Sequence, residues 1–65
     1  MNNFEFAKRQ IDETNRVLNR AGDAGKALVL NVNFCRSLYE VGWINGNEYV
    51  RLIDFILGFT EELER

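Results

Sequence analysis

"GWINGNEY", residues 42–49, admits two readings, and the choice between them decides the fold. Asn45-Gly46 is the dipeptide that most strongly marks a two-residue β-hairpin. A hairpin would need the following run, "YVRLIDFILGF", to alternate as a return strand, and it alternates poorly. The helical reading uses every position. Gly42 supplies a left-handed stop for one helix. Asn45 caps the next, Glu48 closes a capping box three residues on, and Ile44 and Tyr49 take the staple positions. The start of the chain repeats the signal, because "MNNFEF" and "INGNEY" share the order apolar-Asn-x-x-Glu-aromatic. There Asn2 is the cap, Glu5 completes the box, and Met1 and Phe6 form the staple pair. One start signal used twice argues for helices. It leaves Trp43 at the apex of a corner.

Upstream, Phe4, Ala7, Ile11, Thr14, Leu18 and Ala21 alternate spacings of three and four, which is a helical stripe with Thr14 as its polar member. Glu5–Arg9 and Asp12–Arg16 fall at i,i+4 with the acid first, the better order. Arg20 complements the helix dipole in the last turn, and Gly22 offers a stop. The connector "AGDAGKA", residues 21–27, has a glycine–lysine flavour of a phosphate loop. It has two residues between its glycines where the Walker pattern needs four, and Ala27 follows Lys26 where Ser or Thr is required. It reads as a stop at Gly22 and a new cap at Asp23.

Residues 27–34, "ALVLNVNF", alternate like a strand rich in β-branched residues. They also fit a helix, in which Ala27, Leu30, Phe34, Leu38 and Val41 form one stripe. The stripe continues past Phe34, where the alternation fails, so helix is preferred over an intermolecular strand. The third segment is unusual. Eight of the eleven residues from Tyr49 to Phe59 are apolar, and Arg51, Asp54 and Gly58 fall on one narrow line. Such a helix is apolar around most of its girth, and two neighbours in a small chain cannot easily cover it. The acids of the tail "EELER" sit unfavourably at a helix C-terminus, so that end is expected to fray.

Composition narrows the function classes. Sixty-five residues make one domain, with a core that is marginal by itself. Chains of this size usually add disulfides, a metal or association. One cysteine, Cys35, forms no internal disulfide, and with no histidine a zinc site has no ligand set. Association or very good helix packing remains. The net charge of −2 argues weakly against nucleic acid as a partner. No signal peptide is legible, and Arg51 and Asp54 interrupt the longest apolar stretch well short of a membrane span. A reduced, cytoplasmic location is expected.

No catalytic group stands out. Cys35 lacks a basic partner and reads as a buried core residue. Ser37 has no histidine base. Asp54 reads as the partner of Arg51 on a solvent line rather than as an activated carboxylate. Asn31 and Asn33 read as pointing to water, with a buried register role as the alternative. Arg9, Arg16 and Arg20, interleaved with acids, read as a solvated face. No catalytic, cofactor-binding or metal-binding residue is assigned, and no cofactor is expected.

The spacing Leu38, Gly42, Ile44, Glu48, Tyr49, Leu52 resembles the short helical hairpins of many small bacterial and phage proteins. That likeness follows from capping rules and implies no particular activity.

The expected fold is all-α: an antiparallel three-helix bundle or helical hairpin in one domain, residues 1–65, completed by self-association. Its helices are expected at about 3–21, 24–41 and 46–63. The expected function is a non-enzymatic protein–protein interaction module. It would be a homodimer, or an adaptor or inhibitor docking on a larger host protein. Trp43, Tyr49, Leu52, Phe55, Ile56 and Phe59 are the candidate interaction residues. The alternative is a small dimeric DNA-binding regulator, either ribbon-type with residues 27–34 paired across two chains or helix-turn-helix.

Overall fold

The structure, a computed structural model, describes residues 2–64, with side chains described for residues 2–59. It contains three helices: α1 (Asn3–Arg20), α2 (Ala24–Glu40) and α3 (Gly46–Glu64). No strand forms among the described residues, and 27–34 is helical. At about 1.5 Å per residue, each helix is nearly as long as the 32 Å long axis of the molecule. Short connectors fold the three alongside one another, and every pair is in contact, so the chain is an all-α three-helix bundle.

Capping sets the boundaries. Asn2 accepts a hydrogen bond from the Glu5 backbone N–H at 2.8 Å, which starts α1. The return bond, from the Asn2 N–H to the Glu5 carboxylate, is not among the hydrogen bonds of the described residues, so this box is half formed. At α3 the box is complete. The Glu48 N–H donates to Asn45 Oδ1 at 2.8 Å, and the Asn45 N–H donates to Glu48 Oε1 at 3.0 Å. Asp23 precedes α2 but makes no side-chain cap bond, contrary to expectation. The stops match each other. Gly22 and Gly42 have φ of 75° and 80°, where glycine is favoured. In the first corner the Asp23 N–H donates to the Leu18 carbonyl and the Gly22 N–H to Asn19. In the second, Trp43 donates to Leu38 and Gly42 to Tyr39. Both are Schellman motifs.

The core is Ala7, Ile11, Cys35, Leu38, Ile44, Leu52 and Ile56, flanked by half-buried Phe4, Leu28, Val32, Phe34, Tyr49, Ile53, Phe55 and Phe59. Burying a side chain the size of Ile11, Leu52 or Ile56 contributes about 1.5–3 kcal/mol. Cys35 is buried, as read from sequence, and burial pushes its thiol from 9.0 up to about 11.

The buried lines differ from the expected stripes. On α1, Ala7 and Ile11 are buried as expected, but the next buried residue is Asn15, with Thr14 half-buried and Ala21 exposed. On α2 the buried line is Ala27, Asn31, Cys35 and Leu38, while Leu30 and Val41 are exposed. A middle helix must meet two neighbours. Its buried centre therefore falls between its two apolar lines, and Asn31 stands at that centre. Asn31 is 2% exposed, which corrects the expectation that it points to water, whereas Asn33 is exposed. Asn15 Nδ2 donates back to the Ile11 carbonyl at 3.1 Å. Asn31 Nδ2 and Asn19 Oδ1 are buried with no hydrogen-bond partner among the described residues.

Asp12–Arg16 forms an ion pair at 3.0 Å. The expected Glu5–Arg9 and Arg51–Asp54 pairs are not among the ion pairs of the described residues. Arg51 instead lies over the Phe4 ring, 4.9 Å from its centroid, so the aromatic face of α1 takes it away from Asp54. The expected staple partner Met1 and the expected fraying of residues 61–65 lie outside the described residues or side chains.

Candidate functional site

The six candidate interaction residues separate into three groups. Leu52 and Ile56, at 0% and 1% exposure, are core residues and present no surface to a partner in this fold. Tyr49 is half-buried and tilts against Tyr39 with ring centroids 5.2 Å apart, linking α3 to α2. Phe55 and Phe59 are half-buried on the α1 side of α3, edge to face at 5.0 Å. Lys8 of α1 sits 5.2 Å from the Phe55 centroid. Trp43 is 52% exposed at the second corner, and its carbonyl accepts a 2.9 Å hydrogen bond from Asn3 Nδ2. The structure therefore does not gather these residues into one patch.

The three outer seams have different chemistry. The α1–α3 seam is charged. Glu5, Lys8, Arg9 and Asp12 form a depression with Phe55, and Asp54 borders a shallow notch of about 200 Å³ beside Phe55, Gly58 and Phe59. That notch is smaller than the several hundred Å³ of an ordinary ligand pocket. The α1–α2 seam is mixed. Phe6, Val17, Leu30 and Val41 are exposed there, interleaved with Gln10, Glu13, Asn33 and Ser37.

The α2–α3 seam is the apolar one. The Tyr39–Tyr49 contact fixes which side of each helix faces it. On α2 that side carries Val29, Val32, Arg36 and Tyr39, at helical spacings of three and four. On α3 it carries Val50, Ile53 and Leu57. Val50 and Leu57 are 57% and 45% exposed, Val29 and Tyr39 are also exposed, and Val32 and Ile53 fill the half-buried floor between them. Arg36 stands among these residues and pairs with Glu40 at 3.1 Å. Sequence reasoning missed this patch because it looked for the most apolar helix as a whole. The signal was the line Val50–Ile53–Leu57 on the flank opposite Phe55 and Phe59.

Among the described residues no three His, Cys, Asp or Glu side chains come together as a metal-binding group. No helix of the described residues is long and apolar enough to cross a membrane. No family model, curated protein or solved structure matches the chain.

Proposed function

We propose that this protein is a non-enzymatic docking module of the cytoplasm that binds protein through the α2–α3 seam. The observation that carries the reading is the continuity of that seam. Six apolar side chains on two helices, Val29, Val32, Tyr39, Val50, Ile53 and Leu57, line one side of the bundle, four of them exposed. Scattered exposed apolar residues are ordinary on a soluble surface, but a contiguous rimmed patch marks an interaction site. The expected contact set thus moves from Phe55 and Phe59 on the α1 flank of α3 to Val50, Ile53 and Leu57 on the α2 flank. A buried thiol held protonated fits a reducing compartment and carries no nucleophilic chemistry.

The test compares Leu57→Asp with Val17→Asp, an equally drastic change on the mixed α1–α2 seam. Solution mass and affinity capture from the source cells are read for both, with helical circular dichroism as the folding control. Association lost with Leu57→Asp and kept with Val17→Asp supports the reading. Association lost equally with both, or with Val17→Asp alone, removes the α2–α3 seam from the account.

A further inference from the structure

We infer that Phe4, Lys8, Arg51 and Phe55 form a crossed clasp that fixes the register of α1 on α3, with Lys8 as the group that joins its two rings. The inference concerns closure of the bundle and stands independently of the docking reading. α1 and α3 are the helix pair that no connector joins. The corners at Gly22 and Gly42 tie α1 to α2 and α2 to α3, so side chains must set how far along α3 the first helix sits. Two chain reversals leave α1 and α3 parallel.

Two short lines of side chains meet on this seam. Phe4 and Lys8 are about one helical turn apart on α1, as are Arg51 and Phe55 on α3. The order of ring and cation is opposite on the two lines. Arg51 lies 4.9 Å from the Phe4 centroid and the Lys8 amine 5.2 Å from the Phe55 centroid, so each ring meets a cation of the other helix. Both pairs join residues forty-seven positions apart, as parallel helices in a single register require. Lys8 also lies 5.7 Å from the Phe4 centroid, which closes the set on its diagonal. Phe4, Lys8 and Phe55 are half-buried, where a cation over a ring is worth more than on an open surface. The acids beside Lys8 leave its amine to the rings. Asp12 pairs with Arg16, and Glu5 is in no ion pair among the described residues. A slip of one turn in one direction brings Lys8 level with Arg51, cation against cation. A slip in the other brings Phe4 level with Phe55 and leaves Arg51 without a ring. The observed register is the one that gives each of the two cations a ring across the seam.

Urea unfolding of the full chain, followed by ellipticity and by Trp43 emission, tests this. Lys8→Met keeps the length of the side chain and removes its charge, and Lys8→Arg keeps the charge. Lys8→Met should lower the folded-to-unfolded ratio about fivefold and Lys8→Arg less than about twofold. Phe55→Lys sets a cation against Lys8 and should lower the ratio by about thirtyfold or more. Adding Lys8→Phe to Phe55→Lys restores a ring facing a cation, with the two exchanged between helices, and should recover about tenfold. Adding Lys8→Leu instead supplies apolar surface without a ring and should recover less than about threefold. Equal losses for Lys8→Met and Lys8→Arg overturn the inference, as does a recovery with leucine that matches the recovery with phenylalanine. Where Phe55→Lys fails to fold, the comparison of Lys8→Met with Lys8→Arg decides by the same criterion.

Discussion

The two corners of the bundle stop their helices in the same way and restart them differently. Gly22 and Gly42 share a left-handed φ and the same pair of crossed hydrogen bonds. After Gly42, Asn45 and Glu48 exchange two bonds and define where α3 begins. After Gly22, Asp23 contributes none through its side chain. The ends of the bundle continue the contrast. Toward the second corner the buried residues are Ala7, Ile11, Cys35, Leu38, Ile44 and Leu52. Toward the first, Asn15 and Asn31 are buried alongside Ala27 and Ile56. One end is dry and firmly capped, while the other carries polar groups and a looser start. A buried polar atom without a partner costs about 1–3 kcal/mol, so stability is concentrated near Trp43.

The largest effect should come from the dry end. Leu52→Ala should cost about 3 kcal/mol in chemical denaturation, and a loss below about 1 kcal/mol would mean that this end is not tightly packed. Cys35 offers a second probe of the same region. Its folded thiol is raised from 9.0 to about 11, so the folded state holds its proton longer. Stability is therefore full below pH 9.0 and falls as pH rises toward about 11. The fall should be on the order of 2 kcal/mol and should disappear in Cys35→Ala. An unchanged pH profile in that variant would place the loss on other groups.

At the polar end the sign should reverse. Asn31→Val removes an unpartnered donor at similar helix propensity and should stabilise by about 1 kcal/mol. A loss of similar size would show that Asn31 has a partner when the chain is in solution. The two glycines should respond alike. Gly22→Ala and Gly42→Ala meet no atom within 4 Å, so each should cost about 1 kcal/mol of backbone strain alone. Unequal costs would break the claim that the stops are equivalent. The smallest effects separate the restarts: Asn45→Ala should cost about 1 kcal/mol and Asp23→Ala close to nothing. Equal costs for the two would dissolve the contrast between the corners.

Much of the fold was legible in the sequence, because helix ends are written in short local codes. Asn2, Gly22, Gly42 and the Asn45–Glu48 box placed every boundary within about two residues. The third-dimensional assignments were less legible. The line through Leu30, Phe34 and Val41 looked like the buried face of α2. A second apolar line, through Leu28, Val32 and Tyr39, competes with it. Only the positions of both neighbouring helices show that the residue between the two lines, Asn31, goes inside. The same ambiguity misplaced the candidate site. On a helix apolar around most of its girth, periodicity cannot say which flank two partners will cover. The structure buries Leu52 and Ile56 and leaves Val50 and Leu57 outside. The Arg51–Asp54 pair failed for a related reason, since a phenyl ring forty-seven positions earlier in the chain, Phe4, competes for the guanidinium.

The hydrogen bond from Asn3 to the Trp43 carbonyl joins residues 40 apart in the chain. It places the chain's single tryptophan where the start of α1 meets the corner between the other two helices. Indole emission therefore reports the docking of α1 onto the α2–α3 hairpin, whereas far-ultraviolet ellipticity reports helix content in all three. A native chromophore at that junction lets stopped-flow measurements time the closure of the bundle separately from the winding of its helices, with no label added.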